Sequence, residues 1–238
     1  MLNQANHWLE FAATAIDAAL ILRILTLKLY RIYTFITLAA VLDLFFDCVM
    51  LWLGSSSKEF AQVFIYSRFL YAFIFPAVAW DVFEEIKGQV AKLRKLAISR
   101  LISSLVLAAI FGFMIAGFAG VEDENAAPAL APTLAFVLWA AAATASLALL
   151  WSMRRAMRSQ HIEATGNTFV WLLFYELYLA GEVLVCLFTI AAPLLSAPFP
   201  DIAAFVLTLY GVGITVWCVL RLRSIPSNVP SAPVKAGL

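Results

Sequence analysis

Five ionisable residues lie inside long apolar runs of this chain: Asp17, Asp43, Asp47, Arg68 and Glu182. An ionisable group in hydrocarbon is costly, and it normally faces a protein interior or a water-filled space. Carboxylates in such a place can hold a cation, relay protons or lock helices together. A guanidinium keeps its charge there and clamps a carboxylate through its planar fork. Depth can be counted at about 1.5 Å of rise per helical residue. On that count Asp17 lies about 13 Å below one membrane surface, Asp43 and Asp47 about 16 and 10 Å, Arg68 about 12 Å and Glu182 about 15 Å. Residues from four separate runs therefore fall in one layer. Asp43 and Asp47 are four apart and share a helix face, and Tyr66, Tyr71 and Tyr178 lie at nearby depths.

Four carboxylates and one guanidinium cannot all stay ionised in a low dielectric without compensation. The layer is expected to hold protons, a cation or water. Asp43 and Glu182 are the deepest and are the candidates for proton coupling, with Arg68 orienting the carboxylates or meeting an anionic group. The alternative is a network that fixes helix packing. Deeper still, Arg23 and Glu176 are expected to pair, and Asp81, Glu84 and Glu85 to meet Lys28, Arg31 or Arg221.

The elements that position these groups must be membrane spans. Hydrophobic residues make up 64% of the 238 and charged ones only 13%, against roughly 45–50% and 25% in soluble domains. A soluble chain of this length has too little interior to hide that surface, so the surplus must face lipid. Seven runs reach the length a spanning helix needs, at about 8–28, 32–53, 60–83, 99–120, 131–152, 168–191 and 202–221. The fold class expected is an all-α integral membrane protein, a single seven-span bundle over 1–223, with a disordered tail over 224–238 containing Pro226, Pro230 and Pro233.

Orientation follows the distribution of Lys and Arg. One set of connections carries Lys28, Arg31, Lys87, Lys92, Arg94, Lys95, Arg100, Arg154, Arg155 and Arg158, and the C-terminal end adds Arg221, Arg223 and Lys235. The opposite set carries Lys58 and the acidic loop 121–125. The N-terminus is thus expected outside and the C-terminus in the cytoplasm, in a multi-pass inner membrane protein. Met1–His7 lacks the basic start of a cleavable signal. Residues 84–100 read as a short basic amphipathic helix at anionic headgroups, with docking of a cytoplasmic partner as the sharper reading. Ala108, Gly112, Ala116 and Gly120 form a small-residue stripe. The small residues at 140–146 predict close helix packing, and Pro76, Gly211 and Gly213 are expected kink sites.

Several functions are excluded by residue type. Cys48, Cys186 and Cys218 stand singly in apolar runs, without metal-site or disulfide spacing. The two histidines, His7 and His161, lie outside the spans, so paired haem ligation, a His-based zinc site and a Ser-His protease are unsupported. The last span has no lysine for a retinal Schiff base. No nucleotide-binding motif appears, and a net charge of +1 without a basic aromatic patch argues against nucleic acid. No cofactor, no metal and no catalytic constellation are expected.

Thr34-Phe35 precedes Asp43 and Asp47, and Thr168-Phe169 precedes Glu176 and Glu182. With seven spans and an outer N-terminus, this pattern resembles small sugar transporters built as three helices, a linker and three helices, in which the outer triplets are parallel repeats. It resembles seven-span receptor-type proteins in topology as well. The Pro-Gln motif of that transporter family is absent. The resemblance implies topology alone. The leading expectation is a carrier for a small solute, cation or proton. A seven-span sensor acting through a partner and an accessory subunit of a membrane complex are the alternatives.

Overall fold

The computed structural model describes residues 2–53, 57–86, 102, 106, 127–159, 161, 166–191 and 199–223. The predicted span 99–120 with its small-residue stripe, most of the amphipathic segment 84–100, the loop 121–125 and the tail 224–238 lie outside the described residues, Ile102 and Val106 excepted.

Among the described residues six long helices carry the fold: α1 (Leu2–Thr26), α2 (Thr34–Leu53), α3 (Lys58–Ile86), α4 (Ala127–Ser159), α5 (Gly166–Ala191) and α6 (Phe199–Arg221). They match six of the seven predicted runs. Five of them contain a stretch long and apolar enough to cross a membrane. The exception is α1, which starts on a polar turn and carries Glu10, Asp17 and Arg23. Large apolar side chains are exposed on every helix, among them Trp52, Tyr66, Phe73, Leu187 and Leu220. Surface of that kind needs lipid as its solvent.

In such a solvent each backbone and hydroxyl donor must find a partner within the protein. The hydroxyls of Thr14, Thr37, Thr144, Ser152, Thr208 and Thr215 each donate to the carbonyl four residues earlier. Ser57 caps α3 by accepting from the Phe60 amide at 3.0 Å. The first amides of α2 are capped from outside their own segment. Asp81 of α3 accepts from Phe35 N at 2.6 Å and Ile36 N at 3.1 Å. This corrects the expectation that Asp81 meets a basic residue: the open end of α2 is a partial positive charge in its own right. Between α1 and α2 the chain reverses through Lys28, at φ 56°, and a 3-10 turn at Leu29–Arg31.

The helices close into a ring in chain order, with α6 returning to α1 and with α3 also touching α5. Matched contacts give the direction of each helix. Phe64 meets Phe136 and Arg68 meets Trp139, so α3 and α4 run parallel. Phe35 with Asp81 and Asp43 with Tyr71 make α2 and α3 antiparallel. Asn167 with Arg223 and Phe188 with Phe199 do the same for α5 and α6. One end of the bundle therefore gathers Lys28, Arg31, Arg154, Arg155, Arg158, Arg221 and Arg223, while Lys58 stands at the other.

The α3–α4 contact is the most extensive among the described helices. Ala141, Ala142, Ala143, Ala145 and Ser146 are buried, with Ser67 of α3, as the small residues at 140–146 predict. Helix α3 continues through Pro76. A second close approach joins α5 and α6. A β-carbon on Gly181 would stand 3.0 Å from the Tyr210 ring, whose hydroxyl donates to the Leu177 carbonyl at 2.8 Å. Gly181→Val is expected to cost about 1–3 kcal/mol by overpacking, read as a lower thermal midpoint of the protein in detergent. An unchanged midpoint would show that the two helices are not held at this distance.

Candidate functional site

Asp17 projects from the middle of α1, Asp43 and Asp47 from successive turns of α2, and Glu182 from α5. All four line one cavity of about 460 Å³ between α1, α2, α5 and α6. The apolar part of its wall includes Ile16, Leu20, Phe174, Val185, Phe188 and Leu207. The carboxyl groups fall into two linked sets. Asp17 and Asp47 stand close enough for their side chains to interact, and a hydrogen bond between two carboxyls would require that one carries the proton. Asp43 accepts a hydrogen bond from the Tyr71 hydroxyl of α3, with Glu182 and Arg68 near enough to act on it through space.

Arg68 stands behind this wall rather than in it. Its Nη1 lies 3.3 Å from Glu182 Oε2, and the side chains are 14% and 15% exposed. The guanidinium carbon sits 4.3 Å from the Phe64 ring centre and 4.1 Å from that of Trp139. The cation is thus held between two aromatic faces, one of them from α4. All five predicted layer residues are in one neighbourhood, four on the cavity and the fifth bonded to one of the four.

Tyr71 and Tyr178 join them, through the bond to Asp43 and as cavity lining. Tyr66 does not, being 69% exposed. It precedes Arg68 by two residues, which is nearly the opposite side of a helix.

The predicted pairing of Arg23 with Glu176 does not form. Arg23 Nη2 donates to the Leu222 carbonyl at 2.9 Å, and Glu176 Oε2 lies 2.5 Å from Arg154 Nη1. Matching depth was not enough: α6 stands between α1 and α5 in the ring, whereas α4 is directly beside α5.

Sequence reasoning missed the contribution of α6. Thr208, Gly211 and Thr215 line the cavity, at a spacing that places them on one face. With no charge among them, only that periodicity marked the face. Both threonine donors are used on their own helix, so their oxygens remain as acceptors. Together with the carboxyls they make the polar lining rich in acceptors. A β-carbon at Gly211 would meet no atom within 4 Å, so this glycine leaves cavity space open. Tyr175 was missed as well. It lines the cavity and packs on Trp171, which in turn packs on Tyr33. These aromatics fill the space between the cavity and the basic end.

Compared with protein-family models, with curated proteins and with solved structures, the chain shows no match. Among the described residues, no group of three or more His, Cys, Asp or Glu is arranged to hold a metal ion. Cys48, Cys186 and Cys218 are free thiols.

Arg68 cannot shed its charge, whereas Glu182 can be neutralised by a proton. Glu182→Leu is therefore expected to destabilise the protein more than Arg68→Met does, by about 3–5 kcal/mol for the glutamate variant. The double variant should recover part of that loss. Thermal unfolding of the three variants in detergent measures it, and an Arg68→Met variant as damaged as Glu182→Leu would count against a pair held by the guanidinium.

Proposed function

We propose that this chain is a seven-span carrier of the cytoplasmic membrane that takes a small cationic solute, or protons, into the carboxylate-lined cavity. The observation that carries the reading is that cavity: about 460 Å³, with four carboxyl groups from three helices on its wall. Acceptor oxygens without a guanidinium among the lining groups favour a solute that brings N–H donors and positive charge. The apolar remainder of the wall suits a compact hydrocarbon body. The linked Asp17–Asp47 pair supplies a place where a proton can reside. The activity proposed is binding and transfer across the membrane, without a catalytic step.

The topology belongs to the same proposal. With α3 and α4 parallel, the proposal places a crossing between them, and the apolar run 99–120 has the length for one. The basic end is assigned to the cytoplasm. The cavity runs from Phe188 and Ala203, near the opposite end, to Thr215 and Phe174 in the inner half, so it is assigned to the outside.

Two measurements test this. Reporter fusions after residue 93 and after residue 124, on either side of the run 99–120, should report opposite sides, cytoplasm and outside. Fusions on the same side would remove the seventh span. In proteoliposomes, the protein should move protons or accumulate a small alkylammonium cation down a gradient. Asp43→Asn and Glu182→Gln should each cut the rate at least about tenfold, the effect of losing a charge-assisted contact of about 1.5–3 kcal/mol. Gly211→Val, which fills the open wall, should slow the cation more than the proton. Parental rates in both carboxyl variants would overturn the carrier reading.

A further inference from the structure

At the other end of the molecule the exposed side of α4 carries a cluster of basic and aromatic side chains. Trp151, Arg154, Arg155 and Arg158 follow one another at intervals of three, one and three residues, which places all four on one helix face. They line a concavity of about 300 Å³. The opposite face of the same turns, with Leu150, Met153 and Met157, is buried in the bundle. Trp151 is 64% exposed, at the end of the run that spans the hydrocarbon. An exposed indole at that level lies in the interfacial belt. Arg158 stands about 10 Å further along the axis, so the guanidinium groups straddle the level of the lipid phosphates.

Charge and geometry sharpen the reading. Among the described residues, the ion pair of this stripe is Arg154 with Glu176. Three guanidinium groups face one carboxylate, and Arg155 and Arg158 are exposed. Glu176 fixes Arg154 from the α5 side, which pre-orders one donor fork of the concavity. Arginine forks match phosphate oxygens bidentately, and basic pockets at helix ends take anionic headgroups.

We propose that Trp151, Arg154, Arg155 and Arg158 form a binding site for the phosphate of an anionic phospholipid, with the indole against the upper acyl chain. Occupation of the site clamps α4 to α5 through Arg154 and Glu176. The site is separate from the carboxylate cavity and does not depend on what that cavity carries.

The test is a thermal-shift titration of the full-length protein in zwitterionic detergent, with phosphatidylglycerol, phosphatidylcholine and inorganic phosphate as probes. Phosphatidylglycerol is expected to raise the melting temperature saturably, and phosphatidylcholine to leave it unchanged. In Arg155→Gln/Arg158→Gln, whose exposed positions leave the core intact, the half-saturating concentration should rise roughly 10–30-fold. Arg31→Gln/Arg221→Gln removes the same charge elsewhere at the basic end and should leave it within about twofold of the parent. Equal response to both lipids, or equal weakening in the two double variants, overturns the site in favour of a diffuse surface field. Inorganic phosphate matching phosphatidylglycerol at equal concentration overturns the lipid as its occupant.

Discussion

A guanidinium that cannot be deprotonated, placed ten residues into a membrane-length helix, sets conditions that much of this structure meets. Arg68 needs an anion and a surround that tolerates a cation without water. It obtains the first from Glu182 of α5 and the second from the rings of Phe64 and Trp139. In doing so it ties α3 to both α4 and α5. Tyr71, one turn further along α3, holds Asp43 of α2. One helix thus fixes the carboxyls on either side of it, and the aromatic groups that shield the cation fill the space on the α3–α4 side. The unfilled volume falls between α1, α2, α5 and α6, where Asp17 and Asp47 line the wall together.

The two ends of the bundle differ in how they are closed. At the basic end the helices are joined by polar clasps that each span a ring contact. Arg23 holds the carbonyl of Leu222, Asn167 and Arg223 exchange two hydrogen bonds, Asp81 caps α2, and Arg154 holds Glu176. The clasps between α1 and α6 and between α5 and α6 connect the same helices that diverge around the cavity. Tyr33, Trp171 and Tyr175 continue the closure inward as packed aromatics. Backbone partners dominate these clasps, and a backbone carbonyl or amide cannot be neutralised by a proton. The Arg23 and Asn167 clasps are therefore insensitive to protonation, whereas those made by Asp81 and Glu176 rest on carboxyls.

Much of this was legible in the sequence, and the limits have physical reasons. Helix extents follow from hydrophobic length, a local property, and six predicted runs fall on observed helices, although α1 starts at Leu2 against a predicted 8 and α4 runs to Ser159 against a predicted 152, where polar and charged residues continue the helix beyond the apolar run. The coincidence of depth that groups Asp17, Asp43, Asp47, Arg68 and Glu182 is one-dimensional information, which the sequence holds. Ring order is two-dimensional, and the sequence does not hold it. That is why Arg23 and Glu176, close in depth, each bond elsewhere. Azimuth around one helix is intermediate. The two-residue step from Tyr66 to Arg68 already separates them by about 200°, whereas the three-residue step from Arg68 to Tyr71 brings them to one side. The role of α6 was hidden because threonine and glycine carry little hydropathic signal.

The ring order bears on the likeness to proteins built from two parallel triplets. Helices α1–α2–α3 and α4–α5–α6 have the same alternation of direction, and they meet at two parallel contacts, α3 with α4 and α6 with α1. Rotation by half a turn about the bundle axis would exchange those contacts. The middle helix of each triplet carries a carboxylate at nearly the same distance from the end opposite the basic one, Asp43 in α2 and Glu182 in α5. The third helices break the symmetry, for α3 presents Arg68 where α6 presents Thr208. The consequence is a lopsided interior. The α3–α4 contact is cemented by a shielded cation and packed alanines, while the α1–α6 contact opposite it borders the cavity with Ile16, Asp17 and Leu20 on one side and Leu207, Thr208, Gly211 and Thr215 on the other.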